Sequence, residues 1–206
     1  MLRVVGVDPG LSRCGVGVVE GSAARARVLR LGVVRTPPSA ATPQRLARLH
    51  DELRAVLAEV DADAVAVERV FFNSNVSTGI GVAQAAGVVL LCATQAGLPV
   101  AEYSPNEVKM AVAGNGDAGK AQVGYMVRVL LGLAEAPRPA DAADALAVAL
   151  CHLQAAGGGA GRRSTDGAGA SGGMSARLAA AVAASAGPGA GVVRRAGGVP
   201  VQGARR

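Results

Sequence analysis

The chain has 206 residues, half of them apolar, with no Trp, two Phe and two Tyr. That is enough apolar material for one sizeable core, built from Ala, Val and Leu rather than from rings. The net charge of +6 lies entirely in the tail: residues 1–154 carry 14 basic and 14 acidic side chains, and residues 155–206 carry seven Arg against one acid. A basic tail of this kind suits contact with a polyanion. The longest apolar stretch, GVVLLCA, is too short to span a bilayer, so no membrane association is expected. The opening residues, with Arg3 and the turn Asp8-Pro9-Gly10, do not read as a secretory leader. Cys14, Cys92 and Cys151 are an odd set without metal-ligand spacing, which predicts buried reduced thiols and a cytoplasmic protein.

In chain order, LRVVGVD is a short β-rich run that ends at a turn. CGVGVVEG and ARVLRLGVVRT follow, divided by Gly and Ser, and predict two more strands of a meander. Leu46, Leu49, Leu53, Val56, Leu57 and Val60 recur at helical spacing, with Thr42 as the expected N-cap and Pro43 in the first turn. DAVAVE predicts a buried strand, residues 77–95 a long helix rich in Ala and Gly, and PVAEY another strand. Ser104, with Pro105 behind it and Glu107 three residues on, forms a capping box. Further helices are predicted over 120–131 and 139–153. Three strands in series, then helix–strand–helix–strand, then helices, predict an α/β fold with a mixed central sheet flanked by α-helices. The domain is expected over residues 1–156. Residues 157–206 are Gly-, Ala- and Arg-rich, of low complexity, and expected to be disordered, with a transient helix at 175–184.

Four acids stand at the ends of predicted elements. Asp8 ends the first strand in GVDPG, and Glu68 ends the fourth in AVAVE. Asp141 and Asp144, in ADAADALA, are three apart and share a helix face. Each has an ordinary structural explanation when taken alone: a turn, a solvated strand end, an acid in a first helical turn. Two strand ends on one sheet edge plus one helix face can instead converge on a single cleft. Clustered carboxylates raise one another's pKa unless a cation joins them. Oxygen donors without His or Cys suit Mg²⁺, with Mn²⁺ as an alternative. The chemistry such a site supports best is phosphoryl transfer with two metal ions.

Four segments, GVDPGLSRCGVGVV, AVERVFFNSN, EYSPNEVKMAVAGNGDAGKAQVGYMV and PADAADALAVALCH, together resemble the RuvC Holliday-junction resolvases, in the family's order and spacing over about residues 1–154. The resemblance implies an RNase H-like fold and places the family's metal-binding carboxylates on Asp8, Glu68, Asp141 and Asp144. It implies a structure-selective endodeoxyribonuclease that resolves four-way DNA junctions in recombination and repair. Two strands would be nicked symmetrically, leaving 5′-phosphate and 3′-hydroxyl ends, with two Mg²⁺ per active site. It further implies a homodimer, since a two-fold protein matches a two-fold substrate, and a RuvA/RuvB branch-migration partner. Residues 77–95 would supply the dimer contact, where small residues allow close helix approach. Of 21 basic residues only Lys109 and Lys120 are Lys, and both fall in the segment resembling the family's DNA-contacting region. Lys109 is expected near the scissile phosphate and Lys120 on the DNA backbone, against the plain alternative of two surface lysines. The Gly114–Gly119 stretch between them predicts a pliant loop. Phe71, of the only Phe pair, is expected at the rim, stacking on a junction base. His50 and His152 are assigned no role.

Three other readings compete. A related RNase H-like nuclease acting on RNA shares the fold, but VFFNSN after Glu68 and the intact DAADALA favour the resolvase. An actin-like ATPase also opens on a strand with Asp and Gly in a phosphate-facing turn. Such proteins need a second phosphate turn, and none follows here. A junction-binding module without activity is disfavoured by the presence of all four acids.

Overall fold

The computed structural model describes residues 1–70 and 76–158. Phe71 and the tail from residue 159 onward lie outside the described residues. The elements run β1 Leu2–Asp8, β2 Arg13–Ser22, β3 Arg25–Arg35, α1 Thr42–Glu59, β4 Ala64–Glu68, α2 Val76–Gln95, β5 Val100–Tyr103, α3 Pro105–Ala113, α4 Lys120–Leu130 and α5 Ala140–Gly158. The strands form one sheet in the order β3-β2-β1-β4-β5. The β1–β2–β3 meander is antiparallel, while β1–β4 and β4–β5 are parallel. This is the mixed sheet expected from the element order.

Alternation along the strands divides the core into two layers. Val5, Val7, Val16, Val18, Val65 and Val67 point to one face, where they meet Leu49, Leu53 and Val56 of α1 and Ala85, Val89 and Cys92 of α2. Val4, Val19 and Ala66 point to the other, against α3, α4 and α5. On that second face the strands carry glycine where α5 crosses. Gly6 pairs with Gly17, and Asp8 with Gly15. A Cβ on Gly6 would lie 2.1 Å from the Ala145 carbonyl oxygen, and one on Gly15 would lie 1.9 Å from that of Asp141. A Cβ on Gly17 would lie 2.8 Å from Leu146 Cδ2. Backbone therefore packs on backbone, and α5 sits closer to the sheet than any side chain would allow.

The helix starts follow the expected chemistry with one exception. Ser104 accepts from Glu107 N–H while the Glu107 carboxylate accepts from Ser104 N–H, closing the capping box, and Gly114 ends α3 in the left-handed region at φ 69°. Thr42 is not the N-cap of α1. Ala41 holds that position without a side-chain bond, and Pro43 in the first turn starts the helix by its fixed φ. α5 runs to Gly158, beyond the expected end at 153 and the expected domain boundary at 156. Its last turn lies against the β2–β3 turn, where a Cβ on Gly157 would come within 3.0 Å of Ala23. Packing there outweighs the poor helix propensity of glycine. Cys14, Cys92 and Cys151 are buried and unpaired, as expected. Among the described residues no helix is long and apolar enough to cross a membrane.

Candidate active site

Val7 of β1 pairs with Val67 of β4, so Asp8 and Glu68 end neighbouring parallel strands side by side. Such strands lie about 4.8 Å apart. Both acids fall on the α3–α5 face, because they continue the alternation of Gly6 and Ala66. There they line a cleft of about 310 Å³ together with Lys109 of α3, Lys120 and Val123 of α4, and Asp144 of α5. The capping box sets α3 at the end of β5 and so places Lys109 on the cleft wall. The close seating of α5 on Gly6, Gly15 and Gly17 brings Asp144 toward the strand ends.

The electrostatics of the four acids differ. Burial, followed by repulsion from Glu68, Asp144 and Asp141, pushes the Asp8 carboxyl up to about 7. Burial also raises Glu68, with Asp144 adding to the shift and Lys120 and Lys109 opposing it. Asp144 is raised by burial, and Lys120 Nζ offsets this from 3.6 Å. Asp141 runs the opposite way. Arg13 Nε and a second guanidinium nitrogen donate to its Oδ2 at 2.8 and 2.5 Å and hold its carboxyl below the usual range.

The structure thus brings Asp8, Glu68, Asp144, Lys109 and Lys120 into one cleft. Asp141 stands beside it, turned to Arg13, and does not line it. Phe71 lies outside the described residues, although β4 ends three residues before it. The oxygen donors fit a hard divalent cation, which would offset the burial, and with it the carboxylate repulsion, that lift Asp8 and Glu68. Among the described residues no three acidic, His or Cys side chains already converge in a metal-holding geometry. The helix acids are countered instead by Arg13 and Lys120. His152 donates to or accepts from the Tyr103 hydroxyl at 2.8 Å and is lowered by burial. His50 is half-buried between Asp51 and Gln95. Neither reaches the cleft.

Sequence reasoning missed Arg13 and the glycines. The antiparallel register that sets Gly15 opposite Asp8 also puts Arg13 just past the end of β1, level with the first turn of α5. The signal was present as three glycines on one face of consecutive strands.

Residues 4–152 match the family model for crossover junction endodeoxyribonuclease RuvC. The chain belongs to the RuvC family. The RuvC of Frankia alni is 58% identical over 153 residues, which cover 74% of this chain and 78% of that relative. The RuvC of Streptomyces avermitilis is 56% identical over 153 residues, 74% of this chain and 87% of the relative. The structure of T. thermophilus RuvC in complex with Holliday junction substrate matches with a TM-score of 0.74 and 44% identity, covering 77% of this chain and 97% of that one. The sheet and its helices are accordingly the RNase H-like fold of RuvC, and RuvC proteins are divalent-metal-dependent endodeoxyribonucleases. Fold and enzyme class agree with the resemblance in the sequence.

Proposed function

We propose that this chain resolves four-way DNA junctions in recombination and repair, as a Mg²⁺-dependent endonuclease that nicks two strands symmetrically and leaves 5′-phosphate and 3′-hydroxyl ends. The observation that carries this is the cleft in which Asp8 and Glu68 end parallel neighbours, with Asp144 and two lysines facing them. Asp8, Glu68 and Asp144 would hold divalent metal, two ions per site, with Asp141 joining after release from Arg13. Bound metal there supplies water activation and stabilisation of the leaving oxygen. Lys109 adds positive charge on the wall where the scissile phosphate enters, and Lys120 contacts the neighbouring backbone. Phe71 stacks on a base at the rim.

A homodimer supplies the second cleft that paired nicks need. Ile80 and Leu91 of α2 are exposed, 52% and 51%, and give that helix an apolar outer face suited to a second copy. RuvA/RuvB is the partner machine, and the cytoplasm is the compartment. The tail, with its seven Arg, strengthens attraction to DNA without entering the reaction.

The test compares a synthetic four-way junction with linear duplex of the same sequence, with and without Mg²⁺, for wild type and Asp8→Asn. Metal-dependent cutting of the junction alone is expected, and Asp8→Asn is expected to lose it. Equal cutting of both substrates would overturn the resolvase reading. Undiminished cutting by Asp8→Asn would overturn the site.

A further inference from the structure

A second groove opens directly beside the catalytic cleft. It lies between α4 and the N-terminal half of α5, encloses about 300 Å³, and is lined by Lys120, Gly124, Tyr125, Arg128, Pro137 and Asp144 among others. Lys120, Val123 and Asp144 line both cavities, so the groove continues the cleft rather than standing apart from it. We propose that this groove binds the DNA strand as it leaves the catalytic cleft, a reading that rests on the nuclease function above.

The groove has the three components of a strand-binding track. The first is charge. Lys120, Gly124 and Arg128 are four residues apart and form one stripe along α4. The second is a ring. Tyr125 is 56% exposed, and the Arg128 guanidinium lies 5.1 Å from its centroid. Arg128 also donates to the Ala134 carbonyl at 3.3 Å, which holds the guanidinium over the ring. A planar cation on an aromatic ring gives a base a stacking platform and a phosphate a charge-assisted donor. The third is room. A Cβ on Gly124 would meet nothing within 4 Å, so the floor between the two cations is open.

The spacing fits a strand. Eight helical residues separate Lys120 from Arg128, about 12 Å along the axis. A stacked strand advances about 3.4 Å per nucleotide, so the two cations address phosphates about three or four nucleotides apart. Tyr125 falls between them, where an intervening base would lie. A peptide would not need two cations at this interval, and an apolar ligand would not meet Lys120 and Arg128.

The experiment measures binding of a fluorescent four-way junction by anisotropy in Mg²⁺, over a range of salt, with every variant built on full-length Asp8→Asn so that bound DNA stays intact. Gly124→Glu places an acid between the two cations in open space and is expected to weaken binding at least about tenfold. Arg128→Gln is expected to weaken it and to flatten the slope of log K against log salt by about 1, the signature of one lost phosphate contact. Tyr125→Ala is expected to weaken it about five- to a hundredfold through lost stacking. Arg54→Gln on α1 removes the same charge on the opposite face of the sheet and is expected to bind as the parent. Melting curves verify folding, since all four positions are surface positions. Wild-type-like Kd and salt slope in Gly124→Glu and Arg128→Gln would overturn the track. So would an equal loss in Arg54→Gln, which would reduce the effect to net charge. Failure of the nuclease reading shows separately, as a wild type that leaves the junction uncut in Mg²⁺.

Discussion

The close seating of α5 on the sheet can be tested by a single methyl group. In Gly15→Ala the new Cβ would lie 1.9 Å from the Asp141 carbonyl oxygen, 2.6 Å from its carbonyl carbon and 3.3 Å from its Cβ. Ordinary contact begins near 3.4 Å, so the first turn of α5 must retreat by about 1.5 Å. The obstacle is backbone at the start of a helix whose next turns lie on Gly17 and Gly6, so it cannot swing aside as a side-chain tip would. Overpacking of this kind costs about 1–3 kcal/mol. For a chain of this length that lowers Tm by roughly 3–10 °C and leaves the protein folded at 25 °C. The effect on cutting is larger, because Asp141 and Asp144 ride on the displaced turn. A misplacement of about 1 Å at a reacting centre costs roughly a hundredfold. Single-turnover cutting of a four-way junction in Mg²⁺ at 25 °C is therefore expected to fall about a hundredfold, with only a modest change in melting. Gly32→Ala in β3, where a Cβ meets nothing within 4 Å, serves as the control and should match wild type in both. Wild-type cutting by Gly15→Ala with Tm unchanged would refute the claim that backbone contact at this glycine positions the acids.

Asp8 links stability to pH. Its carboxyl sits at about 7 in the folded chain against 3.8 for an ordinary Asp, so the folded state holds the proton more tightly. Stability from this group is complete below about pH 4 and is lost as pH rises through 7, a change of about 4 kcal/mol. Asp8→Asn, melted in EDTA, should therefore be more stable than wild type at pH 8, with the gap narrowing as pH falls and closing near pH 4; no gap at pH 8 would contradict the burial and crowding of this carboxyl. Arg13→Gln frees the Asp141 carboxylate and is expected to tighten Mn²⁺ binding in calorimetry while changing stability by less than about 1 kcal/mol, since the pair is partly exposed. Unchanged metal affinity would remove Asp141 from the ligand set. Ser104→Ala opens the capping box and should cost about 1 kcal/mol, or roughly 2–4 °C in Tm. Deleting residues 159–206 should leave junction cutting intact and weaken DNA binding mainly at low salt, measured as Kd at two ionic strengths.

Local chemistry made much of this fold readable in the sequence. Val4–Val7 and Val65–Val67 announce buried strands, and Ser104-Pro105-Asn106-Glu107 announces a helix start, because each signal lies within one element. Asp8, Glu68 and Asp144 were legible for the same reason: each ends a strand or faces out from a helix turn. What the sequence hid depends on elements far apart. The Arg13–Asp141 pair joins residues 128 positions apart and follows from how α5 crosses β2. The three glycines read as ordinary strand positions until α5 is laid on them. Thr42 satisfied the residue preference for an N-cap, but the chain enters the helix one residue earlier, at Ala41. The expected end of α5 at 153 falls short of Gly158 because the contact of Gly157 with Ala23 joins elements far apart in the sequence.

The way the cleft is assembled also governs when the site becomes complete. Asp8 precedes Asp144, and the α5 turns that pack on β1 and β2, by more than a hundred residues. At ordinary translation rates that interval is on the order of ten seconds. Over the later part of it a growing chain holds Asp8 and Glu68 with no α5 to complete their cleft. A cleft whose walls lie this far apart in the sequence is incomplete until α5 docks, so the chemistry proposed for it waits on the folding of the whole domain.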